Sequence, residues 1–264
     1  MEGSPSAEVR ELRKRYVVWH DRPGSLKDAV VRRVTKVVAD KEIFWALKGI
    51  SFQVQAGEAV GLIGPNGSGK STVLGILGRV LRPTDGEVRV RGRVSILMEA
   101  GVGFHEDLTG IENIYLSGAL LGMRRREIAA KIDTIIDFAD IHGFVDTPVR
   151  MLSSGMYMRL GFSVAVHMDP DVMLVDEVLA VGDEAFHHKC RQRLRAFRDE
   201  GGAVVFVSHR MAEVRWLCDR TLWLDEGLLR AEGPTAEVVG AYIAASGPQA
   251  GGLADNGPGY SPPS

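Results

Sequence analysis

Residues 59–72 read Ala59-Val60-Gly61-Leu62-Ile63-Gly64-Pro65-Asn66-Gly67-Ser68-Gly69-Lys70-Ser71-Thr72. From Gly64 to Ser71 every fixed position of G-x-x-x-x-G-K-[ST] is filled. The apolar run Ala59–Ile63 leads in as a buried strand, and Val73, Leu74, Leu77, Val80 and Leu81 follow on one side of a helix. Glycines let successive N–H groups approach phosphate oxygens with no Cβ in the way. The helix that follows presents its N-terminus to the same charge. Gly64, Pro65, Asn66, Gly67, Ser68, Gly69, Lys70, Ser71 and Thr72 are thus candidate nucleotide-binding residues. Lys70 is expected to bridge the terminal phosphates and the Ser71 hydroxyl to ligate Mg²⁺. The bland alternative is a glycine-rich turn without a ligand, but chance matches rarely carry a strand before and a helix after.

Two further apolar strands end in chemistry. Val172-Met173-Leu174-Val175 runs into Asp176-Glu177, and Ala203–Val207 runs into Ser208-His209. Carboxylates at the C-terminal end of a parallel strand stand where ligands bind in open α/β sheets. Asp176 is expected to hold Mg²⁺, and Glu177 to polarise the attacking water as general base. His209 is expected to contact the γ-phosphate and help hold Glu177 and the water; the competing reading is a loop histidine.

The whole chain sets bounds around these stretches. Its 264 residues allow one large domain or two small ones, and 45% hydrophobic with 25% charged residues is an ordinary globular composition. A net charge of −2 favours neither nucleic acid nor a membrane surface through bulk electrostatics. Cys190 and Cys218 lack metal spacing, which fits a reduced cytosolic interior. No apolar run approaches the ~18 residues needed to span a bilayer, and the polar Met1–Arg15 stretch is not a signal peptide. Action on a membrane therefore calls for a partner chain.

Taken in order, Val9–Trp19 is expected to be an edge strand. Leu26–Val38 is expected to be a basic amphipathic helix, either lying on a membrane or partner or covering its own domain. Phe44–Val54 is a strand region. Val88, Val90, Val94 and Ile96 alternate about Gly92 and suggest a hairpin. Glu99–Gly110 reads as a loop, and Ile111–His142 has helical period, as a small helical subdomain inserted in the core. Leu152–Met156 introduces a helix, Leu222–Leu229 closes a hairpin and Ala236–Ala245 is a last helix. Apolar strands alternating with helices imply a mostly parallel sheet covered on both faces. From Ser246 Gly, Pro and Ser dominate, with too little apolar surface to fold.

The phosphate loop, Leu152–Met156, the Asp176-Glu177 strand and His209 occur in the order of an ABC-type ATPase, and the chain resembles that family from about Val9 to Ala245. The resemblance implies an α/β fold, a P-loop ABC-type nucleotide-binding domain over residues 9–245. An antiparallel β-subdomain and a helical subdomain at about 100–165 would complete it. It implies ATP and Mg²⁺ as ligands. Leu152–Met156 stands at the family's LSGGQ signature, with Ser154 for the first glycine and Met156 for the glutamine; Ser153 and Gly155 are kept. In the family this peptide meets the γ-phosphate held by a second copy, so a head-to-tail dimer with ATP at the shared face is expected, with Ser153, Ser154 and Gly155 in the site. Asp183 matches the D-loop aspartate. Glu99 stands where a glutamine usually touches Mg²⁺ and water, and is a candidate metal ligand. Tyr16 is the best match to the adenine-stacking aromatic, with Trp45 as runner-up.

The wording narrows further. Phe44-Trp45-Ala46-Leu47, Met98–Phe104, Leu108–Asn113, Ser153–Leu160 and Asp176–Asp183 look like the ATP-binding subunits of polysaccharide exporters of the O-antigen and teichoic acid type. That resemblance implies a motor peripheral to the cytoplasmic face of the membrane. Its partners would be a separate transmembrane permease and, through it, a lipid-linked glycan, with no nucleic acid. The rivals are an exporter of lipid or a small molecule, a soluble ATPase acting on ribosomes or DNA, and a silent regulatory cassette.

Overall fold

A computed structural model describes residues 4–19, 41–97, 103–176 and 183–246. Among them, a three-stranded antiparallel sheet has the order β2-β1-β4, built from β1 (Ala7–Trp19), β2 (Lys41–Val54) and β4 (Asp85–Val90). A six-stranded sheet contains β3 (Ala59–Ile63), β5 (Val94–Leu97), β6 (Val172–Asp176), β7 (Ala203–Val207), β8 (Arg220–Asp225) and β9 (Leu228–Pro234). Its order is β5-β6-β7-β3-β8-β9, parallel throughout except for the β8–β9 hairpin at one edge.

The continuous apolar runs follow from burial on two faces. Along β7, Val204 and Phe206 join one core while Ala203, Val205 and Val207 join another. Along β6, Met173 and Val175 face the first core, and Val172 and Leu174 the second. A strand with no solvent face needs no polar alternation. Each large side chain so buried contributes about 1.5–3 kcal/mol, which fixes the strand ends where the chemistry sits.

The second core lies between the two sheets and receives Val73, Leu74, Ile76 and Leu77 of α1 (Lys70–Leu77). The first packs under α5 (Ser154–His167), α6 (Glu184–Asp199), α7 (Met211–Leu217) and α8 (Thr235–Ser246). A third, separate core joins α2 (Gly110–Leu120), α3 (Arg125–Ala129) and α4 (Ile132–Ala139) to α5 through Ile114, Ile128, Ile135 and Leu160.

The structure departs from the sequence reading at three places. Val88 to Ile96 is no hairpin: β4 belongs to the antiparallel sheet and β5 to the parallel one. Gly92 is a crossover, its backbone pressed against Asp171, whose carboxylate accepts from Arg93 N at 2.7 Å. The alternation reflected two separate half-buried strands. Nor is β1 an edge strand; it lies between β2 and β4. Its charged residues find partners within the sheet instead: Glu8 pairs with Arg10 along the same strand and accepts from Gln53 Nε2 of β2 at 3.0 Å. Ser246, assigned to the tail, closes α8. The Leu26–Val38 helix and the rest of the tail lie outside the described residues, as do Glu99 and Glu177.

Candidate functional site

Strands β6, β7 and β3 are adjacent and parallel, so their C-terminal ends open on one rim of the sheet. On that rim the chain places Asp176 at the end of β6, His209 two residues beyond β7, and the loop 64–69 after β3. A cleft of about 220 Å³ is lined by Tyr16, Phe44, Ala46, Asn66, Gly67, Gly69, Lys70, Ser71, Thr72, Asp176 and His209. Residues from five separate stretches of sequence thus meet in one hollow.

The loop's conformation demands its glycines. Gly64 has φ +146°, and a Cβ there would lie 2.0 Å from the Leu224 carbonyl oxygen. Gly69, the residue before α1, has φ +110°, and its Cβ would meet Leu47 Cδ2 at 2.7 Å and the Ala46 carbonyl oxygen at 2.8 Å. Gly67 differs: φ is +79° but nothing lies within 4 Å of its Cβ position, so its backbone faces the open cleft. The loop is fastened from behind, where Gly227 N donates to the Ser68 carbonyl at 3.1 Å.

Lys70 is buried, and its ammonium donates to the Gly64 carbonyl at 2.8 Å and the Pro65 carbonyl at 3.0 Å. A cation is thereby held over the loop. The Ser71 hydroxyl donates to Asp176 Oδ2 at 3.3 Å, which brings a hydroxyl from one strand end beside a carboxylate from another. This oxygen donor pair suits a hard divalent cation. Ser68 Oγ is buried inside the loop with no hydrogen-bond partner in the protein. The donor set and the open backbone at Gly67 therefore fit a phosphate chain with its cation.

The aromatic wall separates the two aromatic candidates. Tyr16 lines the cleft together with Phe44, its cross-strand partner. Trp45 pairs with Arg15 and does not line the cleft, because neighbouring residues of a strand point to opposite faces. Phe44 is a lining residue that the sequence reading did not single out; its signal was the period of two, which puts it on Tyr16's face once the strands are paired. Lys14 Nζ sits 5.2 Å from the Tyr16 ring centroid and donates to the Arg82 carbonyl at 2.8 Å.

Ser153, Ser154, Gly155 and Asp183 are not among the residues lining this cleft. Ser153 caps α5, its hydroxyl accepting from Met156 N at 3.2 Å. Asp183 caps α6, its Oδ1 accepting from Phe186 N at 2.8 Å. The stretch before the 152–156 peptide is bound to the loop before α2. Val149 N donates to the Leu108 carbonyl, Thr109 bridges to Pro148, and Arg150 pairs with Asp107. Asn113 is wholly buried and ties that loop down, accepting from His105 N and donating to the carbonyls of His105, Leu108 and Thr109. Thr109, through its backbone N–H and then its hydroxyl, holds the Glu112 carboxyl below the usual range. The stretch leading into the peptide and the 105–109 loop are therefore one connected piece.

Residues 47–180 match the family described as ABC transporter. The chain is 42% identical over 240 residues to the O-antigen export system ATP-binding protein RfbB of Klebsiella pneumoniae, covering 90% of this chain and 97% of that protein. It is 43% identical over 242 residues to the teichoic acids export ATP-binding protein TagH of Levilactobacillus brevis, covering 92% of this chain and 66% of that protein. In fold it is similar to an ATP-binding subunit of an ABC transporter, with a TM-score of 0.71 over 89% of this chain and 92% of that one at 20% identity. A second solved structure, a dimeric bacterial ABC transporter cassette, has a TM-score of 0.68 over 87% of this chain and 98% of that one at 24% identity.

Proposed function

This chain belongs to the ABC transporter family, and on that premise we propose that it is the ATP-hydrolysing motor of a two-component exporter. Its cargo would be a lipid-linked cell-envelope polysaccharide of the O-antigen or teichoic acid kind. The observation that carries this reading is the likeness, over 97% of its length, to a protein named for O-antigen export. No helix among the described residues is long and apolar enough to cross a membrane. A separate membrane subunit would therefore provide the path, with the chain docked on its cytoplasmic side.

Each residue lining the cleft has a task that its position suits, and Glu99 and Glu177 take theirs from the sequence. The backbone of Gly67 and Gly69 receives phosphate oxygens, and Lys70 offsets their charge. Tyr16 and Phe44, opposite each other on the cleft wall of the antiparallel sheet, would give the base a stacking face. Ser71 and Asp176, already 3.3 Å apart, hold Mg²⁺, and Glu99 is the third candidate ligand. When bound, Mg²⁺ neutralises charge on the transferring phosphoryl group. Glu177 takes the proton of the attacking water as general base, and His209 stabilises the γ-phosphate end of the site.

Two copies would close head to tail over two nucleotides, with Ser153, Ser154 and Gly155 of one facing the phosphates held by the other and Asp183 at the seam. Closure would drive the membrane subunit, and hydrolysis would release it. Glu177→Gln is expected to leave ATP binding intact and remove turnover, measured by fluorescent-nucleotide binding and phosphate release; normal turnover would remove the base assignment. Affinity purification of the tagged chain from detergent-solubilised membranes tests the assignment as a whole. A multi-span membrane protein and ATPase activity stimulated by lipid-linked glycan are expected. Ribosomes or nucleic acid in their place would refute the exporter reading.

A further inference from the structure

One buried carboxylate has no part in the cleft. Glu213, on α7, is only 9% exposed, and its helix neighbours Met211, Val214 and Leu217 are core residues. Burying a carboxylate is costly unless it is paired, and both oxygens are paired here. Oε2 accepts from the Ser208 hydroxyl at 3.0 Å and Oε1 from Arg210 Nη1 at 2.7 Å. The Ser208 oxygen in turn accepts from Arg210 N at 3.0 Å. Ser208 is itself 3% exposed. The residues on both sides of His209 are thus fastened to one carboxylate four positions further on.

We propose that Glu213 is a positioning residue for His209, holding the imidazole on the rim of the cleft through Ser208 and Arg210. The inference rests on the reading of this cleft as a hydrolytic site. An apolar residue at 213 would leave the Ser208 hydroxyl without its acceptor. The other two strand ends on the rim are fixed by contacts of their own: β3 by its constrained glycine loop and β6 by the Ser71–Asp176 bond. At the end of β7 the segment Val207-Ser208-His209-Arg210 contains no glycine or proline to dictate its course. The clasp supplies that constraint. Most of it passes through Ser208, because the Arg210 side chain is 59% exposed and a surface ion pair contributes little.

The test is a double-mutant cycle on the full chain with its membrane partner. Glu213→Ala is expected to lower kcat for ATP hydrolysis about 10- to 100-fold, the scale of a misplaced catalytic group. KM for ATP should hold within about twofold, since the change acts on the chemical step and not on uniform binding. Glu213→Gln, which still offers Ser208 an acceptor, should recover most of the rate. In a His209→Ala background, Glu213→Ala should cause no further loss; an equal loss in both backgrounds would overturn the proposal. A second measurement does not depend on turnover. The His209 imidazole carbon–proton resonance should shift or broaden in Glu213→Ala and in Ser208→Ala, and an unchanged resonance in a folded variant would also overturn it. Ser208→Ala deletes a single oxygen, so it keeps the test available should Glu213→Ala fail to fold. Absence of turnover in the wild-type complex would defeat the hydrolytic reading, while the resonance would still decide the clasp.

Discussion

The loop 64–72 and the peptide 152–156 both carry glycine and hydroxyl residues, yet the chain treats them in opposite ways. Around Gly64 there is no room: an added Cβ would lie 2.0 Å from a backbone oxygen of β8. Around Gly155 nothing lies within 4 Å of the Cβ position, and Ser153 and Ser154 are exposed. The first glycine is demanded by the protein's own packing. The second is demanded by nothing among the described residues, which leaves room for a requirement set by a second copy. A half-site of this kind is what a head-to-tail pair of cassettes would use.

The largest effect that could break this contrast is on stability. Gly64→Ala forces a side chain against Leu224 O at a backbone conformation that L-residues avoid, and should destabilise the fold by about 3–5 kcal/mol. Denaturant unfolding of the isolated chain measures it, and a loss below about 1 kcal/mol would mean the loop is not so confined. Gly155→Asp should behave oppositely, moving stability by less than about 0.5 kcal/mol while lowering turnover about 100-fold, the scale seen when a phosphate-facing donor is lost. Paired unfolding and phosphate-release assays check both halves of that statement.

A smaller effect sharpens the account of the aromatic wall. Phe44→Ala should weaken ATP binding by about 1–3 kcal/mol, the range of base–aromatic stacking, whereas Trp45→Ala should leave affinity unchanged. Titration of a fluorescent nucleotide into the two variants separates the faces of β2. Equal losses would place the base elsewhere.

The smallest effect concerns the far end of α5, the helix that begins at the 152–156 peptide. That end is anchored: His167 Nδ1 donates to the Ser163 carbonyl at 2.7 Å, and the ring packs edge-on against Phe138 at 5.0 Å. Burial pushes its pKa down from the ordinary 6.5. The unfolded chain therefore takes the proton first. The contribution of the neutral ring is complete above the ordinary value and is lost as pH falls through it toward the depressed one. Unfolding midpoints should drop on acidification below about pH 6.5, and His167→Gln should flatten that slope. An unaltered slope would mean the ring is not held neutral.

Much of this was legible in the sequence because the site lies at strand ends and the strands are buried on both faces. Runs such as Ala203–Val207 cannot be mistaken for surface, and a charged or polar residue directly after them marks the rim. The loop 64–72 was legible for a different reason: its geometry is local, so spacing alone specifies it. What could not be read was pairing. The alternation of Val88 to Ile96 is the same whether two strands form a hairpin or belong to different sheets, and only the pairing of β4 with β1 and of β5 with β6 tells them apart. The same holds for Phe44 against Trp45, since the face a strand residue takes depends on register with Tyr16. Glu213 was invisible because a glutamate in a helix reads as a solvent-facing residue until the fold buries it.

The central claim is that the 152–156 peptide of one copy completes the phosphate site of another. Complementation tests it most directly. Lys70→Ala removes the phosphate grip, and Gly155→Asp spoils the peptide, so each variant alone should be inactive. Mixed, they form some heterodimers with one composite site, in which the intact phosphate loop of the Gly155→Asp chain meets the intact peptide of the Lys70→Ala chain. Turnover is predicted to return on mixing and to depend on the ratio of the two chains. Persistent inactivity in mixtures that demonstrably form heterodimers would contradict the account.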